Sequence, residues 1–446
     1  MVFCSFTFLL FFMPIVLLLH RALPQKAKRP FLLAASLFFY GWGSPLWLPL
    51  LLYVMALDYF GALWMQKTAR HKKTLLILLI ILNLLPLLYF KYAMFFRDSL
   101  ASLGLSIPME RPVLPAGISF FTFQGLSYLI DVYRNDAKVQ RSFVLFGVYL
   151  SLFPQLVAGP IVRYTDLEAQ LLSPARADAA QMRQGLGRFT VGLGKKVLLA
   201  DAMGRFWGKM SLSLPAAGAA GAWLGLMAFS FQIFFDFSGY SDMALGLGKC
   251  LGFSFPENFR RPYRAQSLTD FWRRWHMTLT TWFKEYVYIP LGGSRRGEKR
   301  RDLNLLIVWA LTGLWHGAGW NFILWGVYFG VLLILEKRFL LGKKGYESLP
   351  GPLRQIGAYL LVLLGWGFFA GKMDVFPAMI GAFGLGSSQA LLDCLSYLPM
   401  LLLCCGIAFL PDIKIPGKQY ALPVLMALCL AALAAQGYAP FVYFQF

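Results

Sequence analysis

Apolar segments long enough to cross a lipid bilayer recur along most of this chain, near residues 3–20, 31–65, 74–96, 114–133, 142–162, 217–239, 303–335, 355–371 and 395–436. A spanning helix needs about 20 predominantly apolar residues. Backbone polar groups inside hydrocarbon are satisfied only within helices or closed barrels. The pattern predicts an all-α polytopic integral membrane protein of about nine to twelve transmembrane helices, with short interfacial or re-entrant helices between them. The stretch from Phe31 to Met65 is too long for one crossing and is interrupted by Gly41-Trp42-Gly43-Ser44-Pro45, so it reads as two spans meeting at a turn. Composition agrees, because 14% charged residues falls well below the roughly one quarter of a soluble domain.

A net charge of +21 could suggest nucleic acid, but the basic residues alternate with apolar spans. That is the bias of Lys and Arg toward cytoplasmic loops, with the bilayer as the partner and no nucleic acid. Loops 21–30 and 67–73 are both basic, which predicts an N-terminus outside. The start, Met1 to Leu19, has no basic leader region or small-residue cleavage site and reads as a retained span. The six cysteines lie in apolar surroundings without C-x-x-C spacing, so neither a disulfide framework nor a metal site is expected. With no fixed repeat or linker, residues 1–446 read as a single membrane domain whose chemistry lies at about 229–335.

His316 is the main functional candidate. It sits in Gly313-Leu314-Trp315-His316-Gly317-Ala318-Gly319-Trp320-Asn321, between two strongly apolar segments, and ionisable groups at membrane depth are rare and usually functional. His276, in Trp272-Arg273-Arg274-Trp275-His276, is the second. Across Thr269 to Tyr286, the residues Trp272, His276, Leu279, Phe283 and Tyr286 recur at helical spacing, which predicts one amphipathic helix. A plain alternative for His276 is a core histidine donating to a backbone carbonyl. His20 and His71, beside Arg21 and Lys72-Lys73, read as water-facing flanks of hydrophobic segments.

A neutral His316 could take the proton from an acceptor hydroxyl as its oxygen attacks a thioester carbonyl, assistance worth about 10² to 10⁴ in rate. His276, through its ring N–H, or the Asn321 amide could donate to the developing oxyanion, where one such donor contributes about 2.7–4 kcal/mol. Trp315 adjoins His316, and Asp236, in Phe235-Asp236-Phe237-Ser238-Gly239-Tyr240, is a candidate to orient an imidazole. Arg260, Arg261, Arg264, Arg273 and Arg274 open the densest positive region of the chain. Guanidinium forks suit the phosphates of a coenzyme A donor, and anchoring on anionic lipid is the competing reading.

The run FFDFSGYSDMALGLGKCLGFSFPENFRRPYRAQSLTDFWRRWHMTLTTWFKEYVYIPLGGSR followed by GLWHGAGWNFILWG resembles the membrane-bound O-acyltransferases (MBOAT), specifically the bacterial alginate O-acetyltransferase (AlgI-like) branch. ASLFFYGWGSP, LPAGISFFTFQGLSYLIDVYR, FPQLVAGPIVRY and the closing FVYFQF extend the likeness over most of the chain. The resemblance implies a helical bundle around a central funnel or tunnel in the bacterial plasma (inner) membrane. It implies that His316 is the family's histidine and His276 its partner. It further implies an acyl thioester donor such as acetyl-CoA, no permanently bound cofactor, and an extracytoplasmic acyltransferase partner of the SGNH (AlgJ- or AlgX-like) type. The acceptor would be a secreted or cell-surface polysaccharide.

The aromatic end Phe441 to Phe446 raises a separate expectation: the Tyr443 hydroxyl as an acyl relay near His316. An interfacial aromatic belt explains the same residues. A transporter and a non-catalytic scaffold for a polysaccharide-modifying complex are the other classes open to this sequence. A transporter would work without an acyl donor, and a scaffold would preserve polymer modification when His316 is replaced by Ala.

Overall fold

The computed structural model describes residues 1–68, 70–173, 177–411, 417–437 and 441, and every regular element among them is helical. Among the described residues, five helices are long and apolar enough to cross a bilayer: Pro45–Lys67, Lys72–Ala101, Leu214–Cys250, Gly351–Ala370 and Ser388–Phe409. Thr7–Ala22 and Tyr420–Gln436 are apolar but shorter. Several other apolar segments are divided into shorter helices. Segment 142–162 breaks at Leu152 into Phe143–Ser151 and Phe153–Leu156, with Pro154 lacking the N–H that would bond back to the earlier turn. Segment 303–335 becomes Glu298–His316, which opens on a run of charges, and Trp320–Leu335.

The residues gather in two compact units, one of Met1–Thr190 with Tyr240–Glu257, the other of Val191–Gly239 with Asn258–Phe446. In the first, the segment from Phe31 to Met65 forms two helices as expected, Gln25–Gly43 and Leu48–Lys67, joined through Ser44 and a single tight turn at Pro45–Trp47. Asp58, midway along its span, is fully buried and accepts a hydrogen bond from Asn83 Nδ2 at 2.7 Å. His20 is buried rather than water-facing. It lies in the last turn of Met13–Ala22, with the buried Lys28 and Arg29 as charged neighbours.

The second unit holds both candidate histidines. Its centre is the antiparallel pair Glu298–His316 and Trp320–Leu335, joined by Gly317-Ala318-Gly319. The two backbones touch. A Cβ on Gly313 would overlap the Phe322 carbonyl oxygen, and one on Gly326 would overlap that of Trp309. Small residues allow this approach, as they do between helices in lipid generally. Around the pair, Trp272, Trp309, Trp325, Phe329 and Trp366 form a continuous aromatic core.

Gly326→Ala is therefore expected to destabilise the protein by ~1–3 kcal/mol through overpacking, read as a lower melting temperature in detergent. Gly357→Ala, where a Cβ meets nothing within 4 Å, should leave that temperature unchanged or raise it.

Candidate active site

The expected helix from Thr269 to Tyr286 does not run through. It is Leu268–Trp272, a break, Met277–Phe283 and a π-helical turn Lys284–Tyr288. The break falls on His276, whose φ of 44° and ψ of 52° are left-handed, a conformation that costs a non-glycine residue roughly 1–2 kcal/mol. Neighbouring backbone holds it there. Met277 N–H donates to the Asn258 carbonyl at 3.0 Å, and Arg260 N–H donates to that of Arg274 at 2.9 Å. Helical periodicity is blind to such a long-range pairing.

Asn258, which sequence reasoning missed, also sets the ring. Its side-chain oxygen accepts from Thr278 N–H at 3.3 Å and Thr278 Oγ1 at 2.9 Å, and it lies 3.1 Å from His276 Nδ1. Because a backbone N–H donates to that atom, it is the amide oxygen, so the ring proton sits on Nδ1. Nε2 is then the nitrogen able to take a proton. The N–H expected to serve an oxyanion is thus committed to Asn258. Burial lowers the His276 pKa to about 3, and this residue lies outside the spanning helices.

His316 is the last residue of its helix, and an extended Gly317 comes directly after it. Both imidazoles are buried, and their centroids lie 6.4 Å apart at 61°. Trp315 stands edge-on to each, at 5.0 Å from His316 and 5.8 Å from His276. Trp325 at 5.0 Å and Phe369 at 5.5 Å complete the wall around His316. Phe237 meets the His276 ring at 4.6 Å.

Both histidines line one half-open cavity of about 490 Å³, together with Trp272, Trp309, Thr312 and three cations, Arg273, Lys284 and Lys337. Its volume lies within the ~300–1,000 Å³ of small-molecule sites. Burial and then the nearby Arg301 and Arg273 lower the Lys337 pKa, against the opposing pull of Glu336 and Asp302.

The remaining candidates fall elsewhere. Of the five arginines, Arg273 alone is among the described lining residues. Arg260 is exposed, Arg261 donates to the Leu410 carbonyl at 2.8 Å, Arg264 is half-buried, and Arg274 pairs with Asp270 at 2.7 Å. The cluster in sequence is therefore not one phosphate cradle, because the chain turns at Arg261 and again at His276. Asp236 is salt-bridged to buried Lys196 at 2.7 Å, and Lys196 also holds Asp201 at 2.7 Å. Asn321 Nδ2 donates to the Phe369 carbonyl at 3.2 Å, and Asn321 is not among the lining residues described. Tyr443 lies outside the described residues. No group of three His, Cys, Asp or Glu able to hold a metal occurs among the described residues.

A multi-helix membrane protein with a buried imidazole pair on a cavity invites comparison with membrane enzymes of that architecture. The sequence profile of the membrane-bound O-acyltransferase family matches residues 46–341, and the chain belongs to this family. It is an O-acyltransferase. The chain is 36% identical, over the full length of both proteins, to the probable alginate O-acetylase AlgI of Azotobacter vinelandii. It is 40% identical to that of Pseudomonas aeruginosa, over 83% of this chain and 72% of the relative. It is 34% identical to the peptidoglycan O-acetyltransferase of Helicobacter pylori, over 85% and 79%.

Asn258→Ala should lower acyl-transfer rate by up to about 10²-fold, the effect of misplacing a reacting group by ~1 Å, with donor KM little changed. The protonation of His276 has a stability consequence. An unfolded imidazole takes a proton near pH 6.5, whereas the folded ring stays neutral down to about 3. Its stabilising contribution is complete above about pH 6.5 and declines as pH falls from there toward 3. Replacing His276 by Gln should flatten that acid-side loss in a melting-temperature series from pH 7 to pH 4.

Proposed function

We propose that this protein moves an acyl group, acetyl as the default, from a cytoplasmic thioester across the bacterial plasma membrane for O-acylation of a secreted or cell-surface polysaccharide. The observation that carries the proposal is the pair of buried imidazoles facing one half-open cavity, with Arg273, Lys284 and Lys337 in its lining. Arg273 and Lys284 are exposed and suit the phosphates of acetyl-CoA as substrate, while the aromatic interior suits its narrow acyl-bearing arm.

In the reaction, His316 takes the acceptor's hydroxyl proton while that oxygen bonds to the carbonyl carbon. The carbon–sulfur bond then breaks, and the imidazolium returns the proton to the departing thiolate. His276, with Nε2 as its basic nitrogen, stands beside it as a second proton-accepting group. The acyl group reaches the polymer through an extracytoplasmic acyltransferase partner. The names of the relatives support an acetyl group and a carbohydrate acceptor, whether alginate-like or peptidoglycan-like. The whole chain acts as one acyltransferase domain, and Tyr443 is proposed as an acyl relay toward the partner.

Purified full-length protein incubated with radiolabelled acetyl-CoA should transfer label to protein or polymer, and His316→Ala should reduce this by about 10² to 10⁴. Unchanged labelling would sink the assignment of His316 as the base. Tyr443→Phe should abolish label on the protein, and acyl transfer to polymer that survives it intact would remove the relay.

A further inference from the structure

The helix Trp320–Leu335 ends at Glu336, an acidic residue directly after a long apolar run. Such a placement ordinarily marks the water-facing end of a span. Here the carboxylate is buried, at 4% exposure. Oε1 accepts from Leu268 N–H at 2.6 Å, while Oε2 accepts from Thr269 N–H at 2.8 Å and Thr269 Oγ1 at 2.6 Å. Ser267 Oγ accepts from the next amide, Asp270 N–H, at 3.0 Å. The opening donors of the helix Leu268–Trp272 are therefore all engaged, most of them by one distant side chain.

That helix has five residues and is too short to hold itself together, since a single turn costs more conformational entropy than its hydrogen bonds return. A carboxylate on its opening N–H groups is favourable in charge as well as geometry. The helix closes on Trp272, packed 4.5 Å from Trp309 and 4.8 Å from Phe329, and the turn just beyond carries His276. The helix that supplies Glu336 also supplies Trp325, 5.0 Å from His316. The helix Trp320–Leu335 thus contacts the His316 ring and, at Trp272, the short helix that leads to His276.

We propose that Glu336 is a positioning residue for acyl transfer: by holding the start of Leu268–Trp272, it sets where His276 stands relative to His316. It touches neither histidine and acts through Thr269 and Trp272. The proposal rests on the histidine pair being the acyl-transfer centre, and one arm of its test does not depend on that reading.

The test compares purified full-length protein with Glu336→Gln, Glu336→Asp and Thr269→Val. Glu336→Gln keeps the shape but presents an amide N–H₂ to backbone donors, while Glu336→Asp keeps the charge on a shorter arm. Two quantities are read per folded molecule. The first is kcat and KM for labelled acetyl-CoA. The second is the rate at which diethylpyrocarbonate modifies His276 and His316, resolved by mass spectrometry.

For Glu336→Gln, kcat should fall by up to about 10²-fold with KM little changed, and His276 modification should change several-fold while that of His316 stays near the parent value. Thr269→Val should give a smaller effect in the same direction, and Glu336→Asp should recover part of the loss. The proposal is overturned if kcat and both modification rates keep their parent values in the folded variants while only the melting temperature drops. It is equally overturned if the two histidines change together. If Glu336→Gln does not fold, the same comparison between Glu336→Asp and Thr269→Val decides it. Should His316→Ala leave acyl transfer intact, the catalytic reading fails, and the selective change at His276 still stands or falls on the labelling.

Discussion

The contact on which the site depends is backbone against backbone. Gly313 and Gly326 let the helices Glu298–His316 and Trp320–Leu335 approach so closely that carbonyl oxygens occupy the space where methyl groups would be. Inside a bilayer there is no hydrophobic gain from pairing two apolar helices, so dispersion contacts made at such close range are what hold them. His316 ends one helix, Trp325 faces it from the other, and Glu336 closes the second. These three placements arise from a hairpin that cannot slide without steric overlap.

The histidines stand in aromatic surroundings, and the same cavity is lined by Arg273, Lys284 and Lys337. Trp315, Trp325, Phe369 and Phe237 surround the two imidazoles, and burial favours the neutral form of His276. Arg273 and Lys284 remain exposed on the same cavity. Arg273 and His276 lie three residues apart in the chain, yet the left-handed turn at His276 lets one be exposed and the other buried.

Much of this was legible from residue order. The apolar segments announced a helical membrane protein, the break at Gly41–Pro45 marked two helices, and the setting of His316 singled it out by its neighbours alone. The division of some apolar segments was not legible, because average hydropathy ignores the kink at Leu152 and the charges that open Glu298–His316. Periodicity misread Thr269–Tyr286 as one helix, since the backbone hydrogen bonds that hold its break come from Asn258 and Arg260, which pair with Met277 and Arg274 from outside the segment. Five arginines crowded in sequence were likewise read as one patch, although two sharp turns send their side chains to different partners.

Chain chemistry alone determined the solvent and singled out one candidate group: long runs of apolar side chains select the bilayer, because exposing them to water is too unfavourable, and an ionisable imidazole among them is rare. Tertiary structure decided which groups stand together. It recruited Asn258 to fix a tautomer, brought Lys337 to the cavity and carried Glu336 to the far end of a short helix. It sent Asp236 to Lys196 and Asn321 to a backbone carbonyl. The physical reason is range. Hydropathy and helical period act over one or two turns, whereas a buried hydrogen-bonding group must find its partner wherever the fold delivers one.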